Sequence, residues 1–414
     1  MANLKNPFIN ISDAFSSFSL LYGEKQEGQK ERYEKAFSKF KSTFNVDCAY
    51  VASSSGRCEV IGNHTDHNGG KVISSAISLD TLSMFLPRDD GKIHIVSDGY
   101  KDMELDAFGD TFCYKGTSLA LVKGVIEGIK NLGLNVGGFN AYCTSNVLGG
   151  AGISSSAAFE LLIAEILNFL YNDGKITEEQ KAKIAQFSER EYFGKPCGLL
   201  DQTAISFGGL NVLDFKPEKI SVKKINDTLK DYAFVLVNTG GSHAGLTNEY
   251  AAVPNEMFEV ANAMGVNRLI DIDFETFKSK LPSVINKLSD RAVLRAYHFY
   301  EENERVEKAY NAINNKDYET FIDCLNKSGE SSLNKLQNCF VAGRKDQSIP
   351  KALSICGSYL YGGANRVHGG GFAGSILNVV KKDKLNDFLS GVYAFYDRES
   401  VVCFELRSVG TIVL

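Results

Sequence analysis

Leu148-Gly-Gly-Ala-Gly-Ile-Ser-Ser-Ser-Ala-Ala-Phe159 decides how the rest of this chain is read. It follows a β-like run, Phe139 to Ser145, and opens a strongly apolar helical segment from Ala157 to Leu170. Glycines and an alanine let the backbone approach a ligand where a larger side chain would collide with it. Amide N–H groups of the turn and of the first helical turn then converge. The helix dipole favours an anion at that point, so the geometry suits a phosphate. Ser154, Ser155 and Ser156 can cap the helix and offer oxygen ligands to a hard cation such as Mg²⁺. No Gly-Lys-Ser/Thr follows the glycines, which excludes a Walker A loop. Taken alone, a flexible turn with an ordinary serine N-cap is the simpler account. Its neighbours change that.

At 414 residues the chain should form two or three domains. A hydrophobic content of 44% and a charged content of 23% are those of an ordinary globular protein. A net charge of −5, with no basic cluster interleaved with aromatics, gives no reason to expect a nucleic-acid partner. Met1 to Asn10 lacks the pattern of a signal peptide, and no apolar run is long enough for a bilayer, so no membrane partner is expected. Nine scattered cysteines without a C-x-x-C pair point to reduced thiols and a cytoplasmic setting.

Pro7 to Phe44 reads as helical, with a Tyr33/Phe37/Phe40 stripe inside the charged segment Glu24 to Lys41. Short strands are expected at 49–52, 71–79, 82–86 and 92–96, then a helix at 119–132. Ile176 to Phe193 reads as one helix, with Thr177 and Gln180 as a capping box and Gly194 as its stop. The mixed charges around Pro217, from Lys216 to Asp231, mark the best domain boundary. Beyond it come a strand at 232–237, helices at 249–264 and 289–314, and strands at 375–380 and 401–406. The fold class is α+β, in two lobes.

Three further stretches could carry chemistry. Gly56 to Val72 packs Arg57, Asn63, His64, Thr65, Asp66, His67 and Asn68 between two strand-like runs, a set suited to the hydroxyls of a small polyol. His64, Asp66 and His67 could instead ligate a metal, though no matching cluster lies elsewhere. An Asx-rich turn would explain the Asn and Gly residues, but not Arg57 or His64. Between Glu189 and Gln202, Asp201 sits among apolar neighbours and needs a cationic partner, for which Arg57 is the candidate. Glu189, one helix earlier, could hold Mg²⁺. A helix-capping Asp201 and a solvent-facing Glu189 are the plainer alternatives. Gly362 to Gly374 is a tight corner, or a backbone able to close over a nucleotide.

In this order, the four stretches resemble the galactokinase family and, more widely, the GHMP small-molecule kinases. The resemblance covers Gly56-Arg57 to Asn68, Leu148 to Ala158, Cys197-Gly-Leu-Leu-Asp-Gln202 and Arg366 to Gly374, and extends over nearly the whole chain. It implies a two-lobed fold of mixed and antiparallel sheets with helices, and an active site in the cleft between lobes. The first domain would span 1–216 and the second 217–398, with the C-terminal strand of 399–414 returning to the first. The implied reaction is ATP-dependent phosphorylation of a sugar's anomeric hydroxyl, by a monomer more readily than an oligomer. By position, Asp201 is then the catalytic carboxylate and Arg57 the arginine that keeps it ionised. Asn63, His64, Asp66, Gly198 and Tyr250 face the sugar. Gly149, Gly150, Ala151, Gly152, Ser154, Ser155 and Ser156 hold the nucleotide, with Ser156 and Glu189 on the Mg²⁺ side. Phosphoryl transfer asks mainly for positioning and charge stabilisation, which these residue types supply.

The chain departs from the family pattern in one telling place. Gly62-Asn-His-Thr-Asp-His-Asn68 stands where galactokinases usually have Gly-Glu-His-Thr-Asp-Tyr-Asn. Asn63 removes a negative charge near the sugar's C6 hydroxyl and His67 can add a positive one. Galacturonic acid or another modified galactose is therefore an alternative substrate, and Asn63→Glu is expected to favour neutral galactose. Leu148 replaces the usual proline, and Ser54-Ser-Gly-Arg57 the usual Ala-Pro-Gly-Arg. A non-catalytic sugar- and ATP-sensing regulator on the same fold is a third reading. The intact Ser154-Ser-Ser-Ala157, Asp201 and Arg57 argue against it.

Overall fold

The β-like texture after residue 49 becomes β1 (Tyr50–Ile61), β2 (Lys71–Arg88), β3 (Lys92–Ser97) and β4 (Met103–Asp106), preceded by α1 (Phe18–Tyr22) and α2 (Gln29–Phe44). The structure, a computed structural model, describes residues 6–110, 113–147, 149, 152–216, 220–242 and 245–414. The chain continues through α3 (Ser118–Asn131), β5 (Gly138–Ser145), α4 (Ser155–Tyr171), α5 (Glu178–Phe187) and α6 (Leu200–Phe207) to β6 (Leu210–Asp214), β7 (Ser221–Lys224) and β8 (Tyr232–Asn238). Helices α7 (Thr247–Ala263), α8 (Phe274–Val284), α9 (Asp290–Asn314), α10 (Tyr318–Ser331) and α11 (Ser348–Gly357) follow. Then come β9 (Ala364–Val367), β10 (Ser375–Lys381), α12 (Leu385–Val392), β11 (Val401–Phe404) and β12 (Ile412–Val413).

The strands form two sheets. In the first the order is β12-β1-β2-β5-β3-β4, with β6 on the far part of β2 and β7 beyond it; the second runs β11-β8-β10-β9. All pairings are antiparallel except β3 with β5. Side-chain alternation along β2 divides the first sheet's two faces. Leu82 and Met84 pack with Phe18, Leu21, Tyr33 and Phe40 of α1 and α2. Phe85 points the other way, into a core with Val122 and Ile126 of α3 and Leu162 and Ile166 of α4. The aromatic stripe of residues 33, 37 and 40 is thus a buried face, as its spacing predicts. Helices α7, α8 and α9 share a core around Met257, Phe277 and Phe299, and α11 and α12 cover the second sheet. One further core binds the lobes: Cys58, Val60 and Ile73 pack in a cluster with Phe234, Leu236, Val306 and Phe321.

Two sequence expectations are corrected here. The strands expected at 71–79 and 82–86 are one strand, because Asp80 between them is fully buried, paired with Arg32 at 2.6 Å and with Tyr22 at 2.8 Å. The polar stretch from Gly56 is not all loop, since β1 runs on to Ile61 and only 62–70 leaves the sheet. The stretch after Lys216 carries β7, an edge strand of the first sheet whose Lys223 and Lys224 deter further pairing. Pro217 and Lys219 lie outside the described residues. At the other end, 399–414 divides between the sheets, β11 pairing with β8 and β12 with β1. The described cysteines form no disulfide, and no helix among the described residues is long and apolar enough to cross a membrane.

Candidate active site

Arg57 reaches the site through a β-bulge. The register of β1 against β2 shifts between Ser55 and Arg57, leaving Gly56 unpaired in the ladder. Gly56 lies so close to the loop before α4 that a Cβ there would sit 2.8 Å from the Ile153 carbonyl oxygen. Arg57 donates its backbone N–H to that same oxygen at 3.2 Å. Its side chain is buried; Nε donates to Asp201 Oδ1 at 2.7 Å and Nη1 to the Gly152 carbonyl. Asp201 stands in the first turn of α6, where the helix dipole also favours a carboxylate. Burial alone would push its carboxyl up. The Arg57 guanidinium and the Ser154 hydroxyl outweigh burial and hold it below the ordinary carboxylate range.

The glycine-serine loop joins this pair to the start of α4. Gly152 and Ser154 both take left-handed backbone conformations, φ 74° and 65°. For serine that conformation is strained. Ser154 does not cap the helix, contrary to the sequence expectation; its hydroxyl donates to Asp201 Oδ2 instead. With no side-chain cap on α4, the N–H groups of its first turn are left open for an anion. Gly149 is exposed beside Ser155, while Leu148, Gly150 and Ala151 lie outside the described residues.

Glu189 arrives on a turn the sequence did not foresee. The helix expected to run from 176 to 193 keeps its Thr177–Gln180 capping box but widens into a π-helix over Ser188–Phe193. Gly124 of α3 lies against its start: a Cβ there would lie 2.7 Å from the Ser188 Cα, so the two elements pack backbone to backbone. Glu189 is buried, and its Oε1 accepts from Ser156 Oγ and from Lys195 Nζ, each at 2.8 Å. Its Oε2 accepts from Gln202 Nε2 at 2.8 Å. A hydroxyl and a carboxylate thus converge beside the open helix end. They are the hard oxygen donors that Mg²⁺ takes together with substrate phosphates, so the residues fit that ion.

The third group lies where the lobes meet. Asp66 packs so tightly on Gly198 that a Cβ there would sit 2.0 Å from Asp66 Oδ2 and push that carboxylate aside. Burial, then Glu59 and Asp201, push the Asp66 carboxyl up to about 7. From the second lobe, Tyr250 donates its hydroxyl to the Gly371 carbonyl at 2.8 Å, and His64 Nε2 lies 2.9 Å from the Gly370 carbonyl. The polyglycine turn therefore closes over the 62–68 loop and Tyr250, where the sequence had offered a bound nucleotide. Gly152 is also nearby, since its Cβ would be 3.5 Å from His368 Nδ1.

Asn63 and His67 do not have the surroundings expected of them. Asn63 is fully buried; its Nδ2 donates to Glu59 Oε1 at 2.9 Å and to the Gly369 carbonyl at 2.8 Å, and its Oδ1 accepts from Asn338 at 2.8 Å. The side chain is engaged inside the protein. The negative charge lost at position 63 reappears at Glu59, ion-paired with the buried Arg366 at 3.1 Å. Burial brings the His67 imidazole down to about 3, so it adds no positive charge at neutral pH. Both legs of the C6 charge argument fail. Among the described residues no group of three or more His, Cys, Asp or Glu could hold a metal, so the His64/Asp66/His67 metal site is not formed. Sequence reasoning missed Glu59, Arg366 and Lys195. Glu59 was findable: two residues after Arg57 on a strand, it shares that residue's face.

Known proteins resemble this chain in the same places. Residues 120–209 match the GHMP kinases N terminal domain and residues 38–85 the galactokinase galactose-binding signature. A galactokinase of Clostridium acetobutylicum is 30% identical over 373 residues, covering 86% of this chain and 92% of the relative. One of Lactobacillus helveticus is 30% identical over 380 residues, covering 88% and 94%. Among solved structures, Lactococcus lactis galactokinase complexed with galactose superposes with a TM-score of 0.80 at 24% identity, over 92% of this chain and 99% of that one. Methanococcus jannaschii mevalonate kinase gives 0.60 at 18% identity, over 86% and 98%.

Proposed function

Because the chain belongs to the galactokinase family of GHMP kinases, we propose that it transfers the γ-phosphoryl group of ATP to the anomeric hydroxyl of galactose, yielding galactose 1-phosphate and ADP. The observation that carries the reading is the Arg57–Asp201 pair, 2.7 Å apart, beside the uncapped start of α4. In this reading Asp201 accepts the proton of the sugar's C1 hydroxyl and aims that oxygen at the phosphorus. A carboxylate held below its usual range is a weak base. It therefore orients the hydroxyl first and takes the proton as the new P–O bond forms, which a loose transition state permits. Arg57 keeps Asp201 ionised and offsets charge on the transferring group.

The open N–H groups of α4, with the loop from Gly149 to Ser156, cradle the ATP phosphates. Ser156 and Glu189 would hold Mg²⁺, which supplies neutralisation of the phosphate charge when bound. His64, Asp66, Gly198 and Tyr250 surround the sugar, and the raised carboxyl of Asp66 suits hydrogen bonds with hydroxyls. Asn63 acts one step back, by orienting Glu59. The same reading divides the chain into a domain over 1–216 and one over 217–398, with β7 reaching back as an edge strand of the first sheet, and has it act as a cytoplasmic monomer. The test is ADP release from Mg-ATP across a panel of galactose, its C2- and C6-modified forms, and galacturonate. Turnover is expected with galactose; silence with every sugar would overturn the kinase reading in favour of a sensor.

A further inference from the structure

Arg57 is committed by its geometry: Nε is engaged by Asp201, Nη1 by the Gly152 carbonyl, and only 6% of the residue is exposed. A phosphoryl group in transit spreads negative charge over three oxygens, so a second cation able to approach it directly would add to the field of the fixed Arg57. Lys195 has that freedom. Its side chain is 57% exposed, whereas its partner Glu189 is 2% exposed. Its backbone is anchored, because Gly194 turns at φ 85° and Lys195 N–H donates to the Glu189 carbonyl at 3.0 Å. The Cα thus stays in place while a flexible four-carbon stem can swing the ammonium. That ammonium is close enough to Asp201 and to Tyr250 to help lower the pKa of each. At rest it sits on Glu189 Oε1, the oxygen that also accepts from Ser156 and that a hard cation would use.

We propose that Lys195 is a phosphate-binding side chain of the transfer step, parked on Glu189 as a resident counter-ion until metal and nucleotide arrive. The inference rests on the kinase reading above. With a hard cation held at Ser156 and Glu189, the Lys195 ammonium would be repelled from Oε1 and free to pair with the γ-phosphoryl oxygens. Resting protein and catalysis therefore use the same cation in two places.

Lys195→Met keeps the stem's bulk and removes its charge; Lys195→Arg keeps a charge. Mn²⁺ titrated into nucleotide-free protein and followed by electron paramagnetic resonance should bind Lys195→Met more tightly than wild type, by at least about threefold, because a competing cation is gone. With Mg-ATP, kcat of the same variant should fall roughly a hundredfold while KM for galactose stays within about threefold, and Lys195→Arg should restore much of the loss. A kcat within about twofold of wild type, or Mn²⁺ affinity that does not rise, overturns the proposal. A wild-type protein inactive on every sugar overturns the kinase reading and this role with it, so the two failures are read from different samples.

Discussion

Two carboxylates a short distance apart are set to opposite tasks by their surroundings. Asp201 has a guanidinium and a hydroxyl on it and stays ionised; Asp66 has burial and two other carboxylates against it and titrates at about 7. Asp201→Asn removes the proton acceptor but preserves shape. We expect kcat to fall at least about a hundredfold with nucleotide binding intact, measured by steady-state kinetics and by titration of a non-hydrolysable ATP analogue. Near-normal turnover would remove Asp201 from its role. Asp66 makes a prediction about pH. In the unfolded chain it loses its proton near the ordinary carboxylate value of about 3.9. Between about 4 and 7 the native protein holds a proton that the unfolded chain has released, so this group's contribution to stability falls as pH rises through that window. Asp201, with its lowered value, acts in the other direction and only below about 4. Urea midpoints taken from pH 4.5 to 7.5 should therefore decline less steeply in Asp66→Asn than in wild type.

At the scale of elements, the site depends on two departures from regular geometry. Ser154 holds a left-handed conformation in order to place its hydroxyl on Asp201. Ser154→Gly relieves a strain of about 1–2 kcal/mol and removes that hydrogen bond. Denaturation should show stability unchanged or raised, with kcat lowered by roughly tenfold or more; a variant that is both less stable and fully active contradicts this account. The π-turn carrying Glu189 packs closely against α3. Gly124→Ala forces a Cβ against the Ser188 backbone, and overpacking of this kind costs about 1–3 kcal/mol. Because the shift falls one residue from Glu189, Mn²⁺ binding should weaken along with stability. Loss of stability alone would disconnect the turn from the metal side.

Across the whole molecule, the lobes are joined by polar contacts as well as by the shared apolar core. Arg366, on β9 of the second sheet, donates to Glu59 and to the carbonyls of Glu59 and Val60 on β1, and all of these groups are buried. His298 of α9 contacts the Asn63 carbonyl at 2.9 Å, and Gly62 N–H donates to Glu302 at 3.0 Å. The sugar-side loop is thus held by second-lobe residues. Arg366→Met leaves the Glu59 carboxylate buried without its cation, which should cost about 3–5 kcal/mol in urea unfolding. Because the Glu59 carboxylate acts electrostatically on Asp66, KM for the sugar should rise more than KM for ATP. Equal effects on both would mean that the pair only supports the fold.

Local chemistry made much of this protein legible in the sequence. The glycine-serine turn before an apolar helix, the capping box at Thr177 and the buried stripe of α2 follow from spacing and residue type, which act over a few positions. The candidacy of Arg57, Asp201, Ser156 and Glu189 rests also on the resemblance of four motifs in order. What needed the fold were the effects of groups distant in sequence: Asp80 running β2 through as one strand because Arg32 and Tyr22 meet its charge, Gly124 packing against the backbone of the π-turn, and Glu59 supplying the carboxylate that Asn63 lacks. Burial likewise kept His67 neutral where the bare sequence allowed a cation. Sequence alone determines which groups are available and how neighbouring ones are presented. Which charges face one another, and in what dielectric, is decided only when remote segments pack together.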